Sequence, residues 1–368
     1  METQGIFIGT DWIEFVCQAL SESKSQRPML VCGKHMLKYR ELLDFIKNSH
    51  EKFVLYTDFQ SNPDYDSAVN AAKLCKKNLC DFIIAIGGGS AIDIAKCARR
   101  FSQMNLEQDC LEKQPLVTSS IKMLAAPTTA GSGSEATCFA VLYRNHKKYS
   151  VAGDDLLPDY VLLNPAFLQG LSVYHKKSCY LDALCQAVES WWSLQANKES
   201  ACYSEKAIKL LLKSFNSYCI LQIEDEKSTY TDVLLGAHYA GKAINLTTTT
   251  AAHAMSYGLT TMFGIAHGHA VALCITQVWQ QLLKVNDNHL NTVLDRIAAA
   301  FGCETKEESF LKFRSLLDKL EMPRLENVTK EAITQLAETV NLQRLSNHPF
   351  SLSYSDLYKM YEGILSKA

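Results

Sequence analysis

Asp81-Phe-Ile-Ile-Ala-Ile-Gly-Gly-Gly-Ser-Ala-Ile-Asp-Ile-Ala-Lys96 changes character twice within a few residues. It opens as a short, unbroken apolar run rich in isoleucine, the composition of a strand buried on both faces. Three glycines follow, and then a stretch with helical spacing. Glycines let the backbone turn tightly and approach a ligand, and the new helix points its free N–H groups and positive dipole end at the same place. That arrangement suits a pyrophosphate, which makes Gly87, Gly88, Gly89 and Ser90 candidate phosphate-binding residues. The spacing is not GxGxxG, so a tight turn without a ligand stays open on this stretch alone.

A second loop points the same way. Pro127-Thr-Thr-Ala-Gly-Ser-Gly-Ser-Glu135 follows another apolar run, Lys122-Met-Leu-Ala-Ala-Pro127. It offers hydroxyls and mobile amides able to bond a ribose, a phosphate or a nicotinamide amide. Two such loops at the ends of neighbouring strands predict a nucleotide crevice. Further apolar runs at Pro28–Gly33, Phe53–Thr57 and Tyr160–Asn164 alternate with helical stretches. This is the pattern of βαβ units on a mostly parallel sheet. Beyond it the texture turns helical, as in Ser178–Ser193, Glu199–Phe215 and Tyr230–Ile244. The expected fold is therefore α/β plus all-α: a Rossmann-like domain over residues 1–163 and a helical domain over 164–368. The tail from Leu325 is expected to form two helices joined around Asn347-His-Pro349.

At 368 residues the chain is long enough for two cores, and its 47% hydrophobic and 21% charged residues are ordinary for a globular protein. A formal charge of -2 supplies no general basic field, so nucleic acid is not the expected partner. The opening residues lack the basic and apolar regions of a signal peptide, and no apolar stretch is long enough to span a bilayer. Thirteen scattered cysteines with no CxxC suggest neither a zinc knuckle nor a redox pair. They fit small buried residues in a reducing cytoplasm.

Asp182 and Gln186 lie four positions apart in a helical stretch and share a face. His253 and His267 lie further on in an apolar segment punctuated by Gly258 and Gly264, with His269 close behind. One carboxylate and two imidazoles can hold a divalent ion and leave a position open for a substrate. A lone buried histidine more often only completes a hydrogen bond, so it is the grouping that predicts a metal site.

Together these motifs, with Arg344-Leu-Ser-Asn-His-Pro349 near the end, resemble the iron-containing (group III) alcohol dehydrogenases along nearly the whole chain. The resemblance implies that Asp182, His253 and His267 are metal ligands and that Gly87 to Ser90 hold the pyrophosphate. Thr128, Thr129 and Ser132 would line the cofactor loop, and Asn62 and Lys148 would make further nucleotide contacts. It also implies a nicotinamide cofactor, NAD(H) or NADP(H), a divalent metal and a homodimer. Within the family, Lys242 and the segments around Asp182 and His253 look like those of phosphonoacetaldehyde reductases. Lys242 would then pair with a phosphonate.

Three departures from the family pattern shape the expectation. Gln186 stands where a histidine ligand is usual, which favours Zn2+ relative to Fe2+. Tyr257 replaces a second histidine, leaving Tyr257 or His269 as proton relays. Near Gly33 there is no carboxylate for the ribose 2′-hydroxyl, and adjacent Lys34 favours NADPH. The expected chemistry is reduction of a small aldehyde. Its rivals are a broad alcohol dehydrogenase, a dehydroquinate-synthase-like lyase and a catalytically silent binding protein.

Overall fold

The apolar run after Asp81 forms a strand, Phe82–Gly87, with every residue buried. Phe82, Ile84 and Ile86 face one apolar cluster, and Ile83 and Ala85 face another. That is the period-two alternation of a strand covered on both sides. The computed structural model describes residues 4–112, 120–145, 147–223, 227–325 and 328–365. Its strands are Gly5–Ile8 (β1), Pro28–Cys32 (β2), Val54–Tyr56 (β3), Phe82–Gly87 (β4), Lys122–Pro127 (β5), Phe139–Arg144 (β6), Lys147–Ala152 (β7) and Tyr160–Leu163 (β8). Two compact units form. One includes the chain up to Thr129 and Gly133–Gln169; the other includes Ala130–Ser132 and the chain from Gly170 onward.

In the first unit six parallel strands run in the order β1-β8-β5-β4-β2-β3, and β6 and β7 form a separate antiparallel pair. Helices Trp12–Glu22 (α1) and Arg40–Asn48 (α2) cover one face, while Tyr65–Lys77 (α3) and Gly89–Phe101 (α4) cover the other. Strand order reverses between β2 and β4. Their carboxyl ends, at Gly33 and Gly87, therefore flank the place where open α/β sheets take their ligands. The neighbour on the other side of β4 is β5, with Gly87 in register with Pro127.

A buried lysine fixes the segment that follows β5. Lys96 on α4 is fully buried and donates to the Thr137 carbonyl at 2.7 Å, the Thr137 hydroxyl at 3.1 Å and the Phe139 carbonyl at 2.8 Å. All three ammonium donors are thus used. Burial pulls the Lys96 ammonium down to about 8, against the opposing pull of Asp93 and Glu135. Asp93, one turn earlier, accepts from the Ser134 hydroxyl at 2.6 Å and the Val141 amide at 3.0 Å. The polar positions of the Gly-rich helix thereby anchor the following loop and hairpin.

The second unit is helical: Val173–Trp192 (α5), Lys198–Phe215 (α6), Lys227–Thr247 (α7), Ala251–Phe263 (α8), His267–Leu282 (α9), Asn288–Phe301 (α10), Lys306–Leu320 (α11), Lys330–Thr339 (α12), Leu342–Leu345 (α13) and Tyr354–Leu365 (α14). The tail thus holds a third, one-turn helix, α13, in addition to the two expected. Every residue of α5 from Tyr180 to Trp192 is buried, so this helix is the unit's axis. Among the described residues, no helix is long and apolar enough to cross a membrane. Eight of the thirteen cysteines are buried and two are exposed, in line with their reading as small core residues.

Candidate metal centre

A helix buried all round has no solvent to satisfy polar side chains, yet α5 and its C-terminal cap carry Asp182, Gln186, Glu189 and Ser193 at helical spacing along one stripe. Each needs a partner, and those partners build the site. Ser193 donates to the Asn347 side-chain oxygen at 2.8 Å. Glu189, wholly buried, accepts from the Thr250 hydroxyl at 2.5 Å, the Ala252 amide at 2.9 Å and His253 Nδ1. His253 therefore enters from the first turn of α8 with its other nitrogen, Nε2, at 3.3 Å from Asp182 Oδ1.

His267, the first residue of α9, brings its Nε2 to 3.9 Å from the same carboxylate oxygen. It reaches that point because Gly268 lets α9 settle on the backbone of α5. A Cβ on Gly268 would lie 1.9 Å from the Ser178 carbonyl oxygen and 2.8 Å from Asp182 Cβ. Asp182, His253 and His267 each present a ligand atom within 4.8 Å of the others. Gln186, one turn along, donates its amide nitrogen to the Ser132 carbonyl at 3.4 Å, while its Oε1 is buried and meets no donor. A buried acceptor without a donor, beside a carboxylate and two imidazoles, is the polar group that a cation satisfies. The donor set fits a divalent ion.

The electrostatics agree. Burial pushes the Asp182 carboxyl up, but His267, His253 and Gln186 outweigh it and hold the group below the ordinary carboxylate range. Burial also opposes charge on His253, yet Glu189 and Asp182 carry it up to about 10. A metal must displace that proton, so uptake should release a proton and weaken as the pH falls. Glu189 meets His253 Nδ1 as a carboxylate behind a metal-bound histidine would. Glu189→Gln should lower metal affinity roughly 10–100-fold. Competition with a chromophoric chelator measures this, and an unchanged affinity would remove Glu189 from the account.

The remaining candidates are placed unevenly. Tyr257 stacks on His267, with ring centres 5.4 Å apart and planes 2° from parallel. His269 is turned elsewhere: its Nδ1 meets the Tyr174 hydroxyl at 3.2 Å. That hydroxyl already accepts from the Ala266 amide, so its proton goes to His269. Burial lowers His269 to about 4 and keeps it neutral. Lys242 is held over the Tyr203 ring at 5.1 Å, on the α6 side of α7.

In the first unit, Gly88, Gly89 and Ser90 are half-buried at the α4 N-terminus, where no side chain caps the helix. Thr128 donates its amide to the Gly87 carbonyl at 2.9 Å, and Thr129 lies against Gly88. Ser132 belongs to the second unit. Asn62 precedes Pro63, whose carbonyl accepts from the Tyr143 amide, and Tyr143 pairs across the hairpin with Lys148. Asn62 and Lys148 thus share one neighbourhood. Lys34, beside Gly33, faces Asp58 at 3.9 Å. A carboxylate therefore stands at this end of the sheet after all, supplied from beyond β3. Glu189 and Gly268 are absent from the candidates that the sequence alone suggests, although the spacing 182, 186, 189 already puts Glu189 on the ligand stripe.

The family model described as iron-containing alcohol dehydrogenase matches residues 3–165, and that described as Fe-containing alcohol dehydrogenase family, C-terminal, matches residues 178–365. A phosphonoacetaldehyde reductase of Streptomyces viridochromogenes is 28% identical over 317 residues, covering 80% of this chain and 79% of that protein. A 4-hydroxybutyrate dehydrogenase of Clostridium kluyveri is 34% identical over 248 residues, 65% of this chain and 64% of that one. The crystal structure of a sulfoacetaldehyde reductase from Bifidobacterium kashiwanohense, in complex with NAD+, superposes with a TM-score of 0.90 at 25% identity, covering 99% of this chain and 98% of that one.

Proposed function

Because the chain belongs to the iron-containing alcohol dehydrogenase family, we propose that it reduces a short aldehyde with an acidic end group to the primary alcohol. The leading pair is phosphonoacetaldehyde and 2-hydroxyethylphosphonate. One observation carries the chemistry: Asp182, His253 and His267 converge within 4.8 Å beside the unsatisfied Gln186 Oε1. The substrate class is supported by the relatives. Phosphonoacetaldehyde, 4-hydroxybutyrate and sulfoacetaldehyde, in their names, are short molecules with an oxygenated carbon at one end and an anion at the other.

In this reading the first unit holds the dinucleotide. The amides at Gly88 to Ser90 and the α4 dipole take the pyrophosphate, with Thr128 and Thr129 beside it and Asn62 and Lys148 as further contacts. The second unit holds Fe2+ or Zn2+ through Asp182, His253 and His267, with Gln186 as a fourth donor. When bound, the cation polarises the carbonyl and the nicotinamide supplies the hydride. Glu189 keeps His253 oriented. Of the two groups read as proton relays, Tyr257 lies on His267 while His269 is engaged with Tyr174. Arg344 donates to the Tyr257 oxygen at 3.0 Å, which holds that hydroxyl beside His267. Asp58 answers part of the Lys34 charge, which moderates the case for a 2′-phosphate, so NADH and NADPH both belong in the test. Thirteen free cysteines suit a reducing cytoplasm, and a homodimer is the proposed form.

The test is a wild-type panel: phosphonoacetaldehyde, sulfoacetaldehyde, succinic semialdehyde and propionaldehyde, each with NADH and NADPH, followed by nicotinamide absorbance. The acidic aldehydes should exceed propionaldehyde in kcat/KM by at least about tenfold, the scale of one charge-assisted hydrogen bond. Net cofactor consumption excludes a lyase, which regenerates its nicotinamide. Equal use of all four aldehydes would leave only a broad alcohol dehydrogenase.

A further inference from the structure

A substrate with an acidic end needs a cation at a fixed reach from the metal, and Lys242 is engaged with Tyr203. The cation beside the ligand cluster is Arg344. Its Nη1 donates to the Tyr257 hydroxyl at 3.0 Å, and its guanidinium carbon lies 5.0 Å from the centre of the Tyr257 ring. That ring in turn stacks on His267 at 5.4 Å. These two spacings bound the distance from guanidinium to ligand imidazole, and a two- to four-carbon aldehyde with a terminal anion spans such a gap.

The side chain is also available. Among the described residues no carboxylate pairs with Arg344, although the guanidinium is only half-exposed and has five N–H donors. Half-buried arginines usually meet carboxylates, and a planar fork with unused donors is the group suited to phosphonate, sulfonate or carboxylate oxygens. Its position is not left to chance. Asn347, three residues on, is buried and donates to the Thr247 carbonyl at 2.6 Å and the Thr248 hydroxyl at 2.9 Å, while accepting from Ser193 at 2.8 Å. This network ties α13 to the segment leading into α8 and to the end of α5, the two helices that supply His253 and Asp182. The motif Arg344-Leu-Ser-Asn347 is thus one device: the asparagine locks the turn and the arginine projects from it beside Tyr257.

We propose that Arg344 is the anion-binding residue of the substrate site, gripping the acidic end of the aldehyde while its carbonyl end meets the metal ligands. This rests on the reading of the substrate as an acidic aldehyde. The experiment compares wild type with Arg344→Lys, Arg344→Gln and Arg344→Met, each checked for metal content and thermal midpoint. In Arg344→Gln and Arg344→Met the ratio of kcat/KM for phosphonoacetaldehyde to that for propionaldehyde should fall roughly 10–100-fold, mainly through KM. Arg344→Lys should recover part of that ratio. Calorimetric binding of ethylphosphonate, which cannot react, should weaken over the same range. If wild type shows no preference for acidic aldehydes, the substrate reading fails and this proposal with it. If wild type shows the preference and the variants retain it, or lose both aldehydes in proportion, Arg344 merely supports Tyr257 and the proposal alone is overturned.

Discussion

His253→Ala should leave the protein without its metal and cut reductase activity by about three orders of magnitude or more. The cation contributes several kcal/mol of carbonyl polarisation, and each ~1.4 kcal/mol is a factor of ten. His253 links the two buried carboxylates of α5, with Glu189 on Nδ1 and Asp182 on Nε2. Its removal therefore does more than delete one ligand: it takes from two buried anions the imidazole they share, leaving Glu189 only Thr250 and the Ala252 amide and Asp182 only the more distant His267 and Gln186. Removing one partner of a buried charge pair costs about 3–5 kcal/mol, so the alanine variant should also melt earlier. His253→Gln separates the two effects, because an amide can still bond Glu189 but is a poor ligand. It should keep most of the thermal stability and lose metal and activity together. Elemental analysis of the purified variants, alongside turnover, distinguishes these outcomes. A variant that retains both metal and full rate would show that the three groups do not form the catalytic centre.

Much of this architecture is legible in the amino-acid sequence, and the exceptions have physical causes. The five predicted strands are present within a residue or so; four of them lie inside a sheet covered on both faces, where apolar runs are long, and the fifth, β3, is a three-residue edge strand. Strand β1 escapes notice since it is a four-residue edge strand whose Ile6 and Ile8 face outward, reversing the usual signal. The β6–β7 pair escapes it because Lys147-Lys-Tyr-Ser-Val-Ala152 is mostly exposed and has no strong alternation. Its anchors, Lys96 and Asp93, lie far back in the sequence, in a motif whose glycines draw the eye first.

At the site, the grouping of Asp182, His253 and His267 is what the sequence makes legible, and the structure brings their ligand atoms within 4.8 Å of one another. The roles of Glu189, Arg344 and Asn347 are not legible there, since each depends on what another helix brings to it. Lys242, read from the sequence as a phosphonate partner, has its ammonium 5.1 Å from the Tyr203 ring centre, a contact that the linear spacing to His253 does not foretell. Asp58 makes a similar point: an exposed carboxylate faces Lys34 from beyond β3, which the end of β2 alone does not foretell.

Gly268→Ala should undo the site nearly as thoroughly as loss of a ligand, without touching one. Gly264 and Gly302 are set by a positive backbone φ, but Gly268 is helical and ordinary in that respect; what it lacks is room. The added methyl would fall 1.9 Å from the Ser178 carbonyl oxygen and 2.9 Å from the Asp182 amide nitrogen. Both are backbone atoms of a fully packed helix and cannot rotate away, so α9 must lift from α5. His267 precedes Gly268 and rides on that helix, and its distance from Asp182 sets the third corner of the ligand triangle. Displacements of about 1 Å in a reacting constellation can cost two orders of magnitude in rate, and overpacking a core costs about 1–3 kcal/mol. Metal affinity should therefore fall at least about 100-fold while the thermal midpoint falls only by the overpacking cost. Gly264→Ala is the matched control. It lies three residues before His267, has φ 66° and meets nothing within 4 Å, so it should lose some stability to backbone strain and keep its metal. If Gly268→Ala binds metal like wild type, close contact between α5 and α9 is not what holds the ligands together. If instead both glycine variants lose metal alike, the fault lies in general destabilisation. Loss confined to Gly268→Ala ties ligand geometry to the packing of these two helices.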